Sequence, residues 1–250
     1  MKFDVSKYLL YLGNCPFGKN ILYLPTTKST NDEIWKNFDD NNHLIIVTDN
    51  QTDGRGRRNN KWHSEKFKSL IFSVAFIDNK KNSSLIFLKS AIAICNAIKH
   101  ITKIDAKTKW PNDILINQKK VSGILIETKG IKSRRIINIG IGLNVDIELN
   151  NITSDLLNKI TSLKIETSIA LVKENILSEI IKSLGECLYE NDSSIINEWM
   201  GLCAHSNKKI LINNNSQYNH GEFIGIDIDG KALINIDGKI TAYSNGMIEL

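Results

Sequence analysis

Arg55, Arg57, Arg58 and Lys61 fall within seven positions, interleaved with Gly54 and Gly56 and preceded by Gln51. Fixed cations beside glycine N–H groups are what binding a polyanion requires, and a solvated basic loop is the bland alternative. Two named phosphate motifs do not fit. Position 59 is Asn where a third glycine would complete a dinucleotide fingerprint, and no Gly-Lys-Ser/Thr follows for a Walker A loop. A second cluster reads Lys109-Trp110-Pro111-Asn112-Asp113, in which Pro111 biases the residue before it to extended backbone and sets up a turn. Lys120 follows, on the same strand face as Ser122, Ile124 and Ile126. A lysine pointing among packed residues needs an anionic partner; a solvent-facing hairpin lysine does not. Gly123 removes a side chain inside that strand, a sign that a ligand or another backbone comes close.

These residues need a scaffold, and hydrophobic periodicity outlines one. Ser29 or Thr30 can cap a helix running to Phe38, with Glu33 at capping-box spacing from Thr30. His43–Thr48 is expected as a buried strand, 49–68 as a polar functional loop, 70–77 as a strand and 84–101 as a core helix. Strands follow at 107–110, 113–117, 121–128 and 135–145, then helices over 168–189 and 194–202. From Lys208 short alternating strands are separated by Asp229-Gly230 and Asp237-Gly238, strong hairpin signals. The expectation is an α/β (α+β) chain: a mixed-sheet catalytic domain over 1–205 and a small β barrel over 206–250.

At 250 residues, with 42% hydrophobic and 24% charged, disorder and fibrous repeats are excluded. The formal charge of +5 suits an anionic partner without naming it. Cys15, Cys95, Cys187 and Cys203 form no CxxC, which argues for a reducing cytoplasmic setting over a disulfide scaffold. No run reaches the length of a membrane span. His43, His63, His100, His205 and His220 show no paired ligand spacing, so no protein metal site is expected. Asp227-Ile228-Asp229-Gly230 is better explained as a turn than as a calcium loop.

Taken together the motifs resemble the biotin protein ligase family. The resemblance rests on Ser29-Thr30-Asn31, on Gln51 with Gly54–Arg58 and Lys61-Trp62, on Lys109–Asp113, on Lys120–Leu125 with Glu127, and on Gly140–Val145. It implies a biotin/lipoate-ligase type catalytic domain with an SH3-like C-terminal domain. It also implies activation of biotin by ATP with Mg²⁺ to biotinyl-5′-AMP, then transfer to one lysine of a biotin carboxyl carrier protein. By that resemblance Lys120 and Arg57 are catalytic, and biotin contacts Ser29, Thr30, Asn31, Gln51, Arg55, Gly56, Arg57, Lys120 and Gly123. The nucleotide falls to Arg55, Arg57, Arg58, Trp62, Lys109, Asn112 and Asn144, with Trp62 as a pocket wall and Asn144 on the adenine side. Asp113 is either a base for the acceptor amine or a turn former. Lipoate–protein ligase is the nearest rival; a DNA-binding regulator and a non-catalytic anion-binding module are two others. The 28 residues ahead of Ser29 are too few for the helix-turn-helix domain of repressor-type members, so no specific DNA binding is expected; a homodimer is compatible with the family.

Overall fold

Seven strands form a mixed sheet in the order β1 (Ile21–Leu24), β2 (His43–Thr48), β3 (Ser69–Asp78), β7 (Arg134–Asn144), β6 (Lys119–Ile131), β5 (Asp113–Ile116) and β4 (Lys107–Lys109). The structure is a computed structural model and describes residues 1–39, 43–78, 85–131, 134–148, 150, 154, 156–214 and 217–249. β1 runs parallel to β2, and every other neighbouring pair is antiparallel. The sheet is covered on both faces, which is why β2 and β3 are continuous apolar runs. Ile45, Val47, Phe72 and Val74 join the large core with α3 (Ile86–Thr102), α5 (Lys173–Tyr189) and α6 (Asp192–Leu202). Alternate residues Leu44, Ile46 and Ala75 face the other way, onto Ile34 of α2 (Thr30–Asn37).

Five further strands, β8 (Lys209–Asn214), β9 (Gln217–Ile226), β10 (Ala232–Ile236), β11 (Lys239–Tyr243) and β12 (Met247–Glu249), make an antiparallel sheet in the order β11-β10-β9-β8-β12. Asp237 and Gly238 both take positive φ, giving the expected two-residue hairpin between β10 and β11. At the other hairpin the Asp227 carboxylate accepts from the N–H groups of Asp229 and Lys231, a turn as expected.

Several elements differ from the expected ones. α1 (Val5–Leu12), capped by Asp4 accepting from Lys7 N–H, and β1 were not anticipated. The late helix starts at Lys173 rather than 168, and a short α4 (Leu163–Glu166) precedes it. The core helix begins at Ile86; residue 84 lies outside the described residues. The 49–68 stretch is tied down by a bridge of Gln51 to Thr27, a bridge of Arg55 to Lys61 and a 3-10 turn over Arg57–Asn59. Among the described residues no helix is long and apolar enough to cross a membrane.

The two sheets meet at one buried joint. His205 is fully buried, its Nε2 accepts from Trp110 N–H at 2.9 Å, and its ring stands edge-on to Phe223 with centroids 4.2 Å apart. Burial, with Lys109 and Lys208 nearby, pushes its pKa down to about 4. An unfolded chain therefore binds this proton below pH 6.5 while the folded one refuses it until about 4. Stability should be complete above 6.5 and fall as pH drops through that window, by at most about 1.4 kcal/mol per pH unit from this group. Urea melts between pH 7 and 4 should show this slope, and His205→Gln should flatten it.

Candidate active site

A cavity lies where the 51–62 loop crosses β6 and β7, close to the Lys109–Asp113 turn. Its floor is made of strand residues without side chains. A Cβ on Gly142 would collide with the indole of Trp62, and one on Gly140 would collide with the side-chain amide of Asn31. Gly123 lies under the same indole and beside the Lys120 ammonium. Glycine is needed here for close approach of other groups to the sheet. Trp62 is thus half-buried against the floor, with Nε1 buried and unpartnered.

One end of the cavity is cationic. Lys120 Nζ pairs with Asp113 Oδ1 at 2.6 Å, so the lysine has its anionic partner, but a register shift in the β5–β6 ladder turns it onto the cavity face beside Gly123 and not, as expected, onto the packed face of Ile124. Its backbone is fixed from outside the hairpin: Lys120 N–H donates to Lys159 O and Thr161 N–H donates to Lys120 O. Arg57 approaches Asn112 Oδ1 at 3.4 Å, and Asn112 in turn donates to Ile124 O. Burial lowers the Arg57 pKa from its ordinary value, with Arg58 adding to the effect. Among the described residues no carboxylate lies within ion-pair distance of Arg57, so its charge is available to a ligand. Lys109 is likewise lowered, first by burial. Arg58, Gly56 and Lys61 complete this end of the lining.

The other end is lined by short neutral groups, with the Arg55 charge beside it met by Asp32 and Glu127. Ser29 and Thr30 start α2, yet the expected capping box is absent: Glu33 accepts from Thr27 Oγ1 and Lys36, and the Ser29 hydroxyl caps nothing. Gln51 takes over, its Oε1 accepting from Thr30 N–H at 2.9 Å. Ser73 Oγ lies 2.7 Å from both Thr30 Oγ1 and Asn31 Oδ1. That arrangement orients Asn31 and leaves its Nδ2 buried without a partner, a donor held at the cavity wall.

Of the residues expected at a site, all but one line this cavity. The exception is Asn144, buried at the end of β7 and donating to Thr161 O at 3.0 Å rather than facing the cavity. Arg55 lines the cavity, but its guanidinium is bidentate to Asp32 at 2.6 and 2.7 Å and also meets Glu127 at 3.3 Å. Lining residues that sequence reasoning missed include Gly140 and Gly142 of the floor, and Gly246, Met247 and Ile248 from the second sheet. The alternating glycines in Gly140-Ile-Gly142 were a readable signal for the floor; nothing local in 246–248 pointed to the cavity.

Comparison with known proteins agrees with this geometry. The profile of the Biotin/lipoate A/B protein ligase family matches residues 23–146, which hold the loop, the turn and the β6–β7 floor. The chain is 30% identical over 246 residues to the bifunctional ligase/repressor BirA of Bacillus subtilis, covering 93% of this chain and 74% of that protein. It is 31% identical over 151 residues to biotin–protein ligase 1, chloroplastic, of Arabidopsis thaliana, covering 58% of this chain and 41% of that one. Among solved structures, the biotin protein ligase of Aquifex aeolicus in complex with biotin and ATP superposes with a TM-score of 0.79 at 26% identity, over 92% of this chain and 98% of that one.

Proposed function

Because the chain belongs to the biotin/lipoate A/B protein ligase family, we propose that it is an ATP-dependent biotin protein ligase, with a catalytic domain over 1–205 and an SH3-like domain over 206–250. The observation that carries this reading is the polarity of the cavity. Arg57 and Lys120 lie at one end and a set of short neutral donors and acceptors at the other, across a floor of glycines and Trp62. A molecule with an uncharged hydrogen-bonding ring and a carboxylate tail fits such a slot. Thr30, Asn31 and Gln51 with Ser29 take the ring; the orphaned Asn31 Nδ2 matches a ureido carbonyl. The carboxylate then lies toward Gly56, Arg57, Lys120 and Gly123.

In the first half reaction that carboxylate attacks the α-phosphate of ATP, and pyrophosphate leaves. Negative charge builds on the phosphoryl oxygens, so cations fixed beforehand lower the barrier without reorganising. Lys120, pinned through its backbone, stands at the junction of carboxylate and phosphate. Arg57 and Arg58 with Lys109 and Asn112 hold the phosphates, and Trp62 walls the nucleotide. Asn144 makes no direct contact in this reading and instead holds the Thr161 backbone, whose N–H donates to Lys120 O. Mg²⁺ arrives as part of the ATP substrate, on its phosphates and water. In the second half reaction the amine comes from a lysine of a biotin carboxyl carrier protein. Asp113, 2.6 Å from Lys120, is the carboxylate placed to accept its proton. The cytoplasm is the expected compartment, in keeping with four free cysteines.

The enzyme mixed with biotin, ATP and a purified biotin carboxyl carrier domain should add one biotin mass to that domain and release AMP. A carrier left unmodified while a lipoyl carrier gains lipoate would reassign the substrate.

A further inference from the structure

Arg55 and Arg57 are two residues apart in one loop, yet they are differently engaged. Arg55 is fully committed within the protein: both of its Nη atoms reach the Asp32 carboxylate on α2, and Nη2 also reaches Glu127 on β6. Glu127 is itself oriented by the Trp35 indole N–H, which donates to its Oε2 at 3.0 Å, and the Lys129 ammonium covers the Trp35 ring at 4.3 Å. The loop's other attachments are of a different kind. Its base is fixed by backbone bonds, Thr52 N–H to Thr27 O and Asp53 N–H to Lys28 O. Its crest folds on itself through Gly56 N–H to Asn60 O, with Arg58 in the left-handed region at φ 54° to make the turn. Beyond Gly54, among the described residues, the loop therefore meets the body through Trp62 on the glycine floor, the long Arg57–Asn112 contact and the Arg55 ion pairs. The last of these ties one loop to two different elements with bidentate geometry, the arrangement in which an exposed ion pair contributes most.

We propose that Arg55 is a positioning residue, a clasp that fastens the 54–62 loop over the cavity through Asp32 and Glu127, and that Arg57, not Arg55, is the loop cation meeting the substrate anions. The clasp keeps biotin and the acyl-adenylate from leaving, and it holds Arg57 in place without drawing on the charge that the chemistry uses. The half of the test that reads substrate rests on the ligase function proposed above; the half that reads the loop does not.

The test is a charge swap. In the ligand-free enzyme, tryptic cleavage after Arg57, Arg58 and Lys61 reports loop release. Arg55→Asp and Asp32→Arg should each speed it about fivefold, the scale of a lost exposed ion pair, and the double Asp32→Arg/Arg55→Asp should recover most of the protection through the 32–55 pair, the Glu127 contact staying lost. The biotin KM, with kcat measured alongside, should follow the same order, raised in each single variant and returned to within about twofold in the double, while kcat changes less than KM. Two results overturn the proposal: single variants whose cleavage matches wild type, or a swap that restores loop protection while the biotin KM stays raised, which would make Arg55 a ligand contact. A wild-type enzyme with no biotin turnover would defeat the ligase reading instead, and the cleavage rates would still decide whether the clasp exists.

Discussion

Lys120→Ala is expected to lower the rate of acyl-adenylate formation about 10²–10³-fold, the usual cost of losing one preorganised donor to a developing charge. The fold should tolerate the change. The Lys120 side chain is about a third exposed, its pair with Asp113 is at the cavity surface, and its backbone bonds to Lys159 and Thr161 do not depend on the side chain. Such a pair contributes at most about 1 kcal/mol to stability, so the unfolding midpoint should move little. Single-turnover pyrophosphate release together with a thermal melt separates the two. A variant that melts normally and turns over normally would reduce Lys120 to a structural partner of Asp113.

Trp110→Ala should act the other way, on the scaffold first. Its indole is 2% exposed, Nε1 donates to Gly230 O at 3.3 Å and its backbone N–H donates to His205 Nε2. Its ring edge also packs against Gly246, beside the second-sheet residues that line the cavity. Truncating a buried aromatic of this size costs about 3–5 kcal/mol, and in a chain of this length the unfolding midpoint should drop by about 6–20 °C. Lys109, Asn112 and Asp113 flank the lost ring, so the KM values for ATP and biotin should rise as well. Trp110→Phe should recover most of both. A melt unchanged in Trp110→Ala would mean that the joint between the sheets carries little of the stability.

How much of this was legible in the sequence depended on whether the governing interaction was local. β2 was readable to the residue because both of its faces are buried, which leaves an unbroken apolar run between polar residues. The hairpin at Asp237-Gly238 was readable because its turn chemistry sits in two adjacent residues. β1 escaped notice: it is four half-buried residues at a sheet edge, and its parallel pairing with β2 depends on a crossover through α2. α1 did carry a local signal, Asp4 ahead of apolar residues at helical spacing. The site followed the same rule. Residue types at motif positions identified the cavity lining, whereas side-chain direction depended on partners far away in the chain. Arg55 turns to Asp32 and Glu127, 23 and 72 residues distant, and Asn144 turns to a carbonyl 17 residues on. The capping box at Thr30 lost to Gln51 for a similar reason, since a glutamine from the next loop was better placed than Glu33 to accept from the first N–H.

The central claim, a cavity that activates biotin as its adenylate, is tested most directly by pyrophosphate release with ATP and biotin, lipoate or octanoate supplied as competing acids. Release is expected with biotin and little with the other two, because neither offers an acceptor for the Asn31 and Gln51 end of the cavity. Release supported by lipoate or octanoate but not by biotin would contradict that claim.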